Sequence, residues 1–175
     1  DLVWTFNLVH WNQETGLVSS TEWSDKLGEY LDLNGRLIEC EFVQSFDLWG
    51  LDGGAYIEQE KSPFTKATSD VADAYGTLGN IDYPNHPIVS GVENFYNDYF
   101  YQNVTVRDNA TLIASYLDGY PLVAINDKVV AFNANPLAAY GGGVTGPALF
   151  DDGYKMIYNS IVYLKSTIEA EDSPG

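Results

Sequence analysis

The sequence is poor in most of the groups that do chemistry or staple a fold. It has one cysteine in 175 residues, which excludes an internal disulfide framework. It has two histidines, His10 and His86, far apart in the chain, so a His-rich zinc site is excluded. Basic residues are scarce, 8 against 25 acidic ones, for a net charge of −17. A polyanion of this kind lacks the Lys/Arg clusters that bind nucleic-acid phosphates, and it avoids anionic membranes. No run approaches the roughly 20 apolar residues of a membrane helix, so no membrane insertion is expected in this segment. Gly-x-Ser-x-Gly, Gly-x-Gly-x-x-Gly and Walker loops are all missing, and Gly141-Gly142-Gly143 is not followed by Lys-Ser/Thr.

What is present suits one globular domain. Hydrophobic residues make up 45% of the chain, and 13 Tyr and 4 Trp enrich it in aromatics. The expected division is a domain over residues 1–168 and an acidic Pro/Gly tail or linker over 169–175. The chain opens on Asp1-Leu2-Val3-Trp4, already inside an apolar run, as a mature fragment or a piece of a longer protein would.

Hydrophobic periodicity orders the elements. Residues 2–9 are apolar almost throughout, as in a strand buried on both faces of a parallel sheet. Ser20-Thr21-Glu22 supplies helix-start chemistry. Trp23, Leu27, Tyr30 and Leu31 then share one helix face, and Asn34-Gly35 ends the helix, with glycine expected at the positive φ. Residues 36–42 form the next strand, which makes a strand–helix–strand unit with parallel pairing. Residues 44–80 read as an irregular insertion with a short turn of helix. Pro84 to Ile88 is a turn, and the aromatic segment 92–106 holds an extended strand. Residues 112–116 are a strand, and 122–125 and 129–133 form a hairpin around Asn126-Asp127. Tyr154, Ile157, Ile161, Leu164 and Ile168 mark the inner face of a closing helix.

Candidate chemistry is sparse. Cys40 stands mid-strand between Glu39 and Glu41, where acids would raise its thiol pKa, so it reads as a buried structural cysteine. His86 reads as a turn residue, whereas His10 lies at a strand's carboxyl end, where open α/β folds bind ligands. The acid pairs Asp47/Asp52, Asp70/Asp73 and Asp151/Asp152 do not fit an EF-hand loop; a surface this acidic is compatible with calcium, and no other cofactor is expected. Asp151-Asp152 suits the start of the closing helix through its dipole. Asn103-Val-Thr105 and Asn109-Ala-Thr111 are N-glycosylation sequons, making Asn103 and Asn109 candidate acceptors.

Several stretches together resemble a known family. These are Leu27-Gly-Glu-Tyr30-Leu-Asp-Leu-Asn-Gly35-Arg-Leu-Ile, His86-Pro87-Ile88 with Gly91, Ala114-Ser-Tyr-Leu-Asp118-Gly119-Tyr-Pro121-Leu-Val-Ala124, Val130-Ala-Phe-Asn133, and Asp152-Gly153-Tyr to Leu164. In order and spacing they resemble class I glutamine amidotransferase-like domains, above all the trehalose-utilisation-type, non-catalytic versions in secreted and cell-surface proteins. The resemblance implies an α/β fold: a flavodoxin-like, mostly parallel sheet, helices on both faces and an added β-hairpin. It also implies that N-terminal strand–helix units of such a domain are missing. Two elements of the glutaminase are absent as well. Strand 36–42 runs into Val43-Gln44-Ser45 with no Gly-x-Cys-x-Gly elbow, and Phe132-Asn133-Ala134-Asn135-Pro136 stands where His-x-Glu is expected.

The leading expectation is therefore a non-catalytic, extracellular structural or interaction module of a larger surface, secreted or filament-forming protein. Its open sheet edge would be covered by another chain or a missing segment, or by self-assembly. The alternative is a hydrolase or carbohydrate-binding domain. Its site would lie at the carboxyl ends of the strands, near His10, Trp11, Gln44, Asp47, Asn133 and Asn135.

Overall fold

A computed structural model describes residues 2–5, 19–40, 43–45, 50–71, 76–97, 101–134 and 149–171. Strand β1 (Leu2–Thr5) leads to helix α1 (Ser20–Asp32) and strand β2 (Arg36–Glu39). There follow a one-turn helix α2 (Ala55–Glu58), a short strand β3 (Asp70–Val71) and strand β4 (Gly76–Ile81). A 3-10 turn (Pro87–Val89) precedes β5 (Phe95–Asn97) and β6 (Tyr101–Gln102). Then come β7 (Thr111–Tyr116), β8 (Pro121–Ile125), β9 (Val129–Phe132), β10 (Leu149–Asp151) and helix α3 (Gly153–Glu171).

Eight strands form one sheet in the order β1-β2-β9-β8-β7-β4-β5-β10, and β3 pairs with β6 in a separate ribbon. The fold is α/β. The strand–helix–strand unit pairs β1 with β2 in parallel, and β2 with β9 likewise. From β9 onward every described pair is antiparallel, so the sheet is mixed rather than mostly parallel. The cause is local. Parallel neighbours need a long crossover, whereas β8–β9 and β7–β8 are joined by tight turns that can close only antiparallel pairs. The Asn126 side chain builds the first turn by accepting the Lys128 and Val129 N–H groups at 3.1 and 2.9 Å.

Alternate residues of β2 and β9 feed two cores on opposite faces of the sheet. Ile38 and Val130 join the larger core beneath α3 and the 3-10 turn, with Ile88, Ile113, Phe132, Met156 and Leu164. Leu37 and Val129 join Leu27, Leu31, Leu51 and Tyr56 beneath α1 and α2. Helices therefore lie on both faces.

Several boundaries differ from the periodicity. The cap of α1 is Ser19, whose hydroxyl accepts the Glu22 N–H at 3.2 Å. The positive φ at its end falls on Asn34 (φ 67), not on Gly35; a Cβ at Gly35 would lie 2.3 Å from the Tyr30 ring, so packing is what demands glycine there. On α3 the buried face runs through Gly153, Met156, Ile157, Ser160 and Leu164, and Tyr154, expected inside, is 42% exposed. The segment 44–80 holds α2, β3 and β4, a more regular structure than its glycines and prolines imply.

At the sheet's centre Tyr116 is 1% exposed, stacked on Tyr101 at 4.0 Å, with its hydroxyl donating to the Asn133 carbonyl at 2.5 Å. Gly76 lies flat on this ring, where an added Cβ would meet Cε1 at 2.1 Å. Gly76→Ala is expected to destabilise the fold by about 1–3 kcal/mol through overpacking, read as a lower urea midpoint at unchanged slope.

Candidate functional site

The sequence pointed to the carboxyl ends of the parallel strands, and the described residues there form a buried polar cluster. Its first half centres on Glu39, the last residue of β2, which is 2% exposed. Tyr56 of α2 donates its hydroxyl to the Glu39 carboxylate. Ser62 also bonds to this carboxylate, and its hydroxyl accepts the Phe64 N–H at 3.0 Å. Arg107 stands close by, with Nε donating to the Phe64 carbonyl at 3.0 Å and Nη1 2.8 Å from Glu60. Burial raises the Glu39 pKa to about 7, against the smaller opposing pull of Tyr56, Ser62, Gln44 and Arg107. Burial and the Glu39 charge also push the Tyr56 phenol up.

Gln44 completes this half. Its side chain is buried against Glu39, and among the described residues neither amide atom has a well-aligned hydrogen-bond partner. Its main-chain carbonyl accepts the Ala67 N–H at 2.7 Å.

The second half centres on Asn133, just past β9. Its Oδ1 accepts the Gln102 N–H at 2.8 Å, and its Nδ2 donates to the Gln102 and Pro121 carbonyls at 2.8 and 3.0 Å. The side-chain amide thus copies one residue of a β-ladder and pins β6 to the sheet. Gln102 in turn donates to Ser45 Oγ at 2.9 Å and to Asp70 at 3.0 Å. Asn133 is 3% exposed, and its amide is engaged on the protein itself.

The structure therefore brings Gln44 and Asn133 to the same end of the sheet. His10, Trp11, Asp47 and Asn135 lie outside the described residues. Cys40 is 1% exposed and packs in the core beneath α3. Glu39 points to the other face, so it does not press on the thiol as its neighbouring position suggests. The Nδ1 of His86 accepts the Ile88 N–H at 3.3 Å, and its ring meets Tyr163 edge-on at 4.7 Å, as befits a turn residue. Asp152 does more than face a helix dipole: it accepts the Glu93 and Asn94 N–H groups at 2.7 and 3.1 Å, and these, with Lys155, bring its pKa down to about 2. Among the described residues no three His, Cys, Asp or Glu side chains form a metal-holding group, and no helix is long and apolar enough to cross a membrane.

Sequence reasoning missed Glu39, Tyr56, Ser62 and Arg107 as a set. One signal was available: a carboxylate between Ile38 and Cys40, inside an apolar strand, has to be buried with a partner or protonated.

No protein-family model matches the chain, and no curated protein does. Solved structures do. The chain is similar to a cold-adapted β-galactosidase from Rahnella sp. R3, at 9% identity and TM-score 0.55, over 82% of this chain and 21% of that one. It is similar to a cytoplasmic protein of Salmonella typhimurium LT2, at 14% and 0.53, over 85% and 60%. A Thermoplasma acidophilum protein described as one of the subunits of GMP synthase matches at 15% and 0.49, over 84% and 66%. The chain thus spans from about a fifth to about two thirds of these proteins' lengths. The likeness to the first two is one of fold.

The Glu39 geometry has a pH consequence. A folded-state pKa near 7 against 4.5 means that the folded chain holds a proton the unfolded chain has lost. The associated stability is present below about pH 4.5 and is lost as pH rises through about 7, on the order of 3 kcal/mol. Glu39→Gln should flatten this part of the profile, measured by urea midpoints at about pH 5 and about pH 8; an unchanged profile would refute the assignment.

Proposed function

We propose that the chain is a non-catalytic, extracellular structural or interaction module with an amidotransferase-like fold, working within a larger surface, secreted or filament-forming protein. One observation carries the reading: the described polar side chains at the strands' carboxyl ends are buried, most of them bonded to one another, while α3 carries an exposed stripe of two tyrosines and a valine. Tyr154, Tyr158 and Val162 are spaced at i, i+4 and i+8 and are 42%, 65% and 50% exposed. Tyr158 and Val162 adjoin Ile161, which packs half-buried in the same core as Leu2 of β1. Among the described residues β1 pairs with β2 alone, so it is an edge strand.

An edge strand's open N–H and C=O groups are a template for another strand, and an exposed apolar stripe on a helix offers side-chain burial to a partner. A strand from another chain or segment along β1 answers the first need, and an apolar contact on α3 the second. The charge of −17 opposes a second copy of this chain and favours a basic or cation-bridged partner. The order and spacing of the family-like motifs and the two sequons agree with an exported module. The carbohydrate-binding or hydrolase reading keeps one observation in its favour, the buried Gln44 amide, which has no well-aligned hydrogen-bond partner among the described residues.

Two measurements test the proposal. The purified chain should not turn over glutamine, esters or glycosides above buffer; activity lost in Cys40→Ser or Glu39→Gln would sink it. Tyrosine nitration should modify Tyr158 in the isolated chain and spare it in the intact parent protein. Equal reactivity in both would remove α3 from the interface.

A further inference from the structure

The two sequons look alike in sequence and differ in the fold. Asn103 is half-buried, and its main chain is tied on both sides: its N–H donates to the Ser69 carbonyl at 2.8 Å, and its carbonyl accepts the Thr68 N–H at 3.0 Å. Val104 is 3% exposed in a core with Phe64 and Ala131. The Thr105 hydroxyl lies 3.0 Å from that of Thr65, and the Thr105 N–H donates to the same Thr65 oxygen at 3.1 Å. This sequon is part of the seam where segment 63–69 lies along 101–106.

Asn109 is exposed, in a turn closed by the Ala110 N–H donating to the Arg107 carbonyl at 3.0 Å. Arg107 anchors the turn through Phe64 and Glu60. Thr111, the other sequon position, is exposed at the start of β7. Asn109 also borders a recess of about 230 Å³, whose wall includes Asp32, Lys61, Asp127 and Lys128. That wall carries carboxylates and ammonium groups side by side, which suits the hydroxyls of a sugar.

We propose that Asn109 is the N-glycosylation acceptor of this chain, that Asn103 stays unmodified in the folded protein, and that the first sugar sits at the recess beside Asp127. The donor is a sugar carried on a lipid pyrophosphate. A bond forms between Asn109 Nδ2 and the anomeric carbon, the bond from that carbon to the pyrophosphate oxygen breaks, and the lipid pyrophosphate leaves. One amide proton passes to a base of the transferase, and nothing is oxidised or reduced.

The inference rests on the export reading above, and the test separates the two. The chain is exported through a glycosylating secretory host, as are Asn109→Gln and Asn103→Gln, and each is mapped by intact mass and peptide analysis. The expected result is one glycan, on Asn109, removed by a glycan amidase that leaves aspartate; it should be lost in Asn109→Gln and kept in Asn103→Gln. Sugar on Asn103, on both residues or on neither overturns the assignment. Fractionation of the native source tests export separately: protein recovered only inside cells sinks the export reading, while the secretory host still decides the acceptor.

Discussion

The structure depends on how β2 is buried. All four of its residues are buried, and two of them, Arg36 and Glu39, are charged. A buried charge is tolerated only when it is paired, hydrogen-bonded or neutralised. Because successive residues face opposite sides, the two charges make opposite demands. Arg36, fully buried, reaches the end of α3 through Thr167 at 3.1 Å and Glu171 at 2.6 Å, and bonds to the Asn34 carbonyl at 2.9 Å. Glu39 turns to α2, taking its bonds from Tyr56 and Ser62. One strand thus ties a helix to each face of the sheet, and the polar interior follows from it.

The same constraint shapes the functional reading. At the carboxyl ends of parallel strands, open α/β proteins usually present polar side chains to a ligand. Here Glu39, Gln102, Ser45 and Asn133 spend their hydrogen-bonding capacity holding α2, β6 and the connecting segments to the sheet. Among the large hydrophobic side chains left exposed, Tyr154, Tyr158 and Val162 lie together along α3, and Leu33, Tyr83 and Leu117 stand elsewhere. Under the proposed reading, the α3 stripe is the surface that holds a partner.

Much of the fold was legible because its signals are local. The 3.6-residue pattern of α1, the tight turn around Asn126 and the unbroken apolar runs of β8 and β9 each speak within a few residues. What was hidden depends on distant packing. Tyr154 belongs to the apolar stripe of α3 by spacing, but the core centres on Met156 and Leu164, so the ring is left outside. The need for glycine at Gly35 comes from the Tyr30 ring, not from a backbone angle. The parallel expectation failed past β9, where β7, β8 and β9 follow one another by hairpins, a choice made by connection length, and β4, β5 and β10 pair antiparallel across longer connections. At the candidate site, Asn133 was legible as a polar residue at a strand end, but nothing nearby in sequence shows that Gln102 takes up its amide.

By itself the sequence determined the acidic surface, the lack of disulfide and His-rich chemistry, the α/β class and the two sequons, because composition and short periodicities carry those properties. Only the tertiary structure decided which acid is buried, which asparagine is exposed, and which face of α3 remains open. Those properties depend on residues brought together from distant parts of the chain: Glu39 with Tyr56, Asn133 with Gln102, Asn103 with Ser69. Burial is a property of neighbours, and most of these neighbours are set by the path of the sheet.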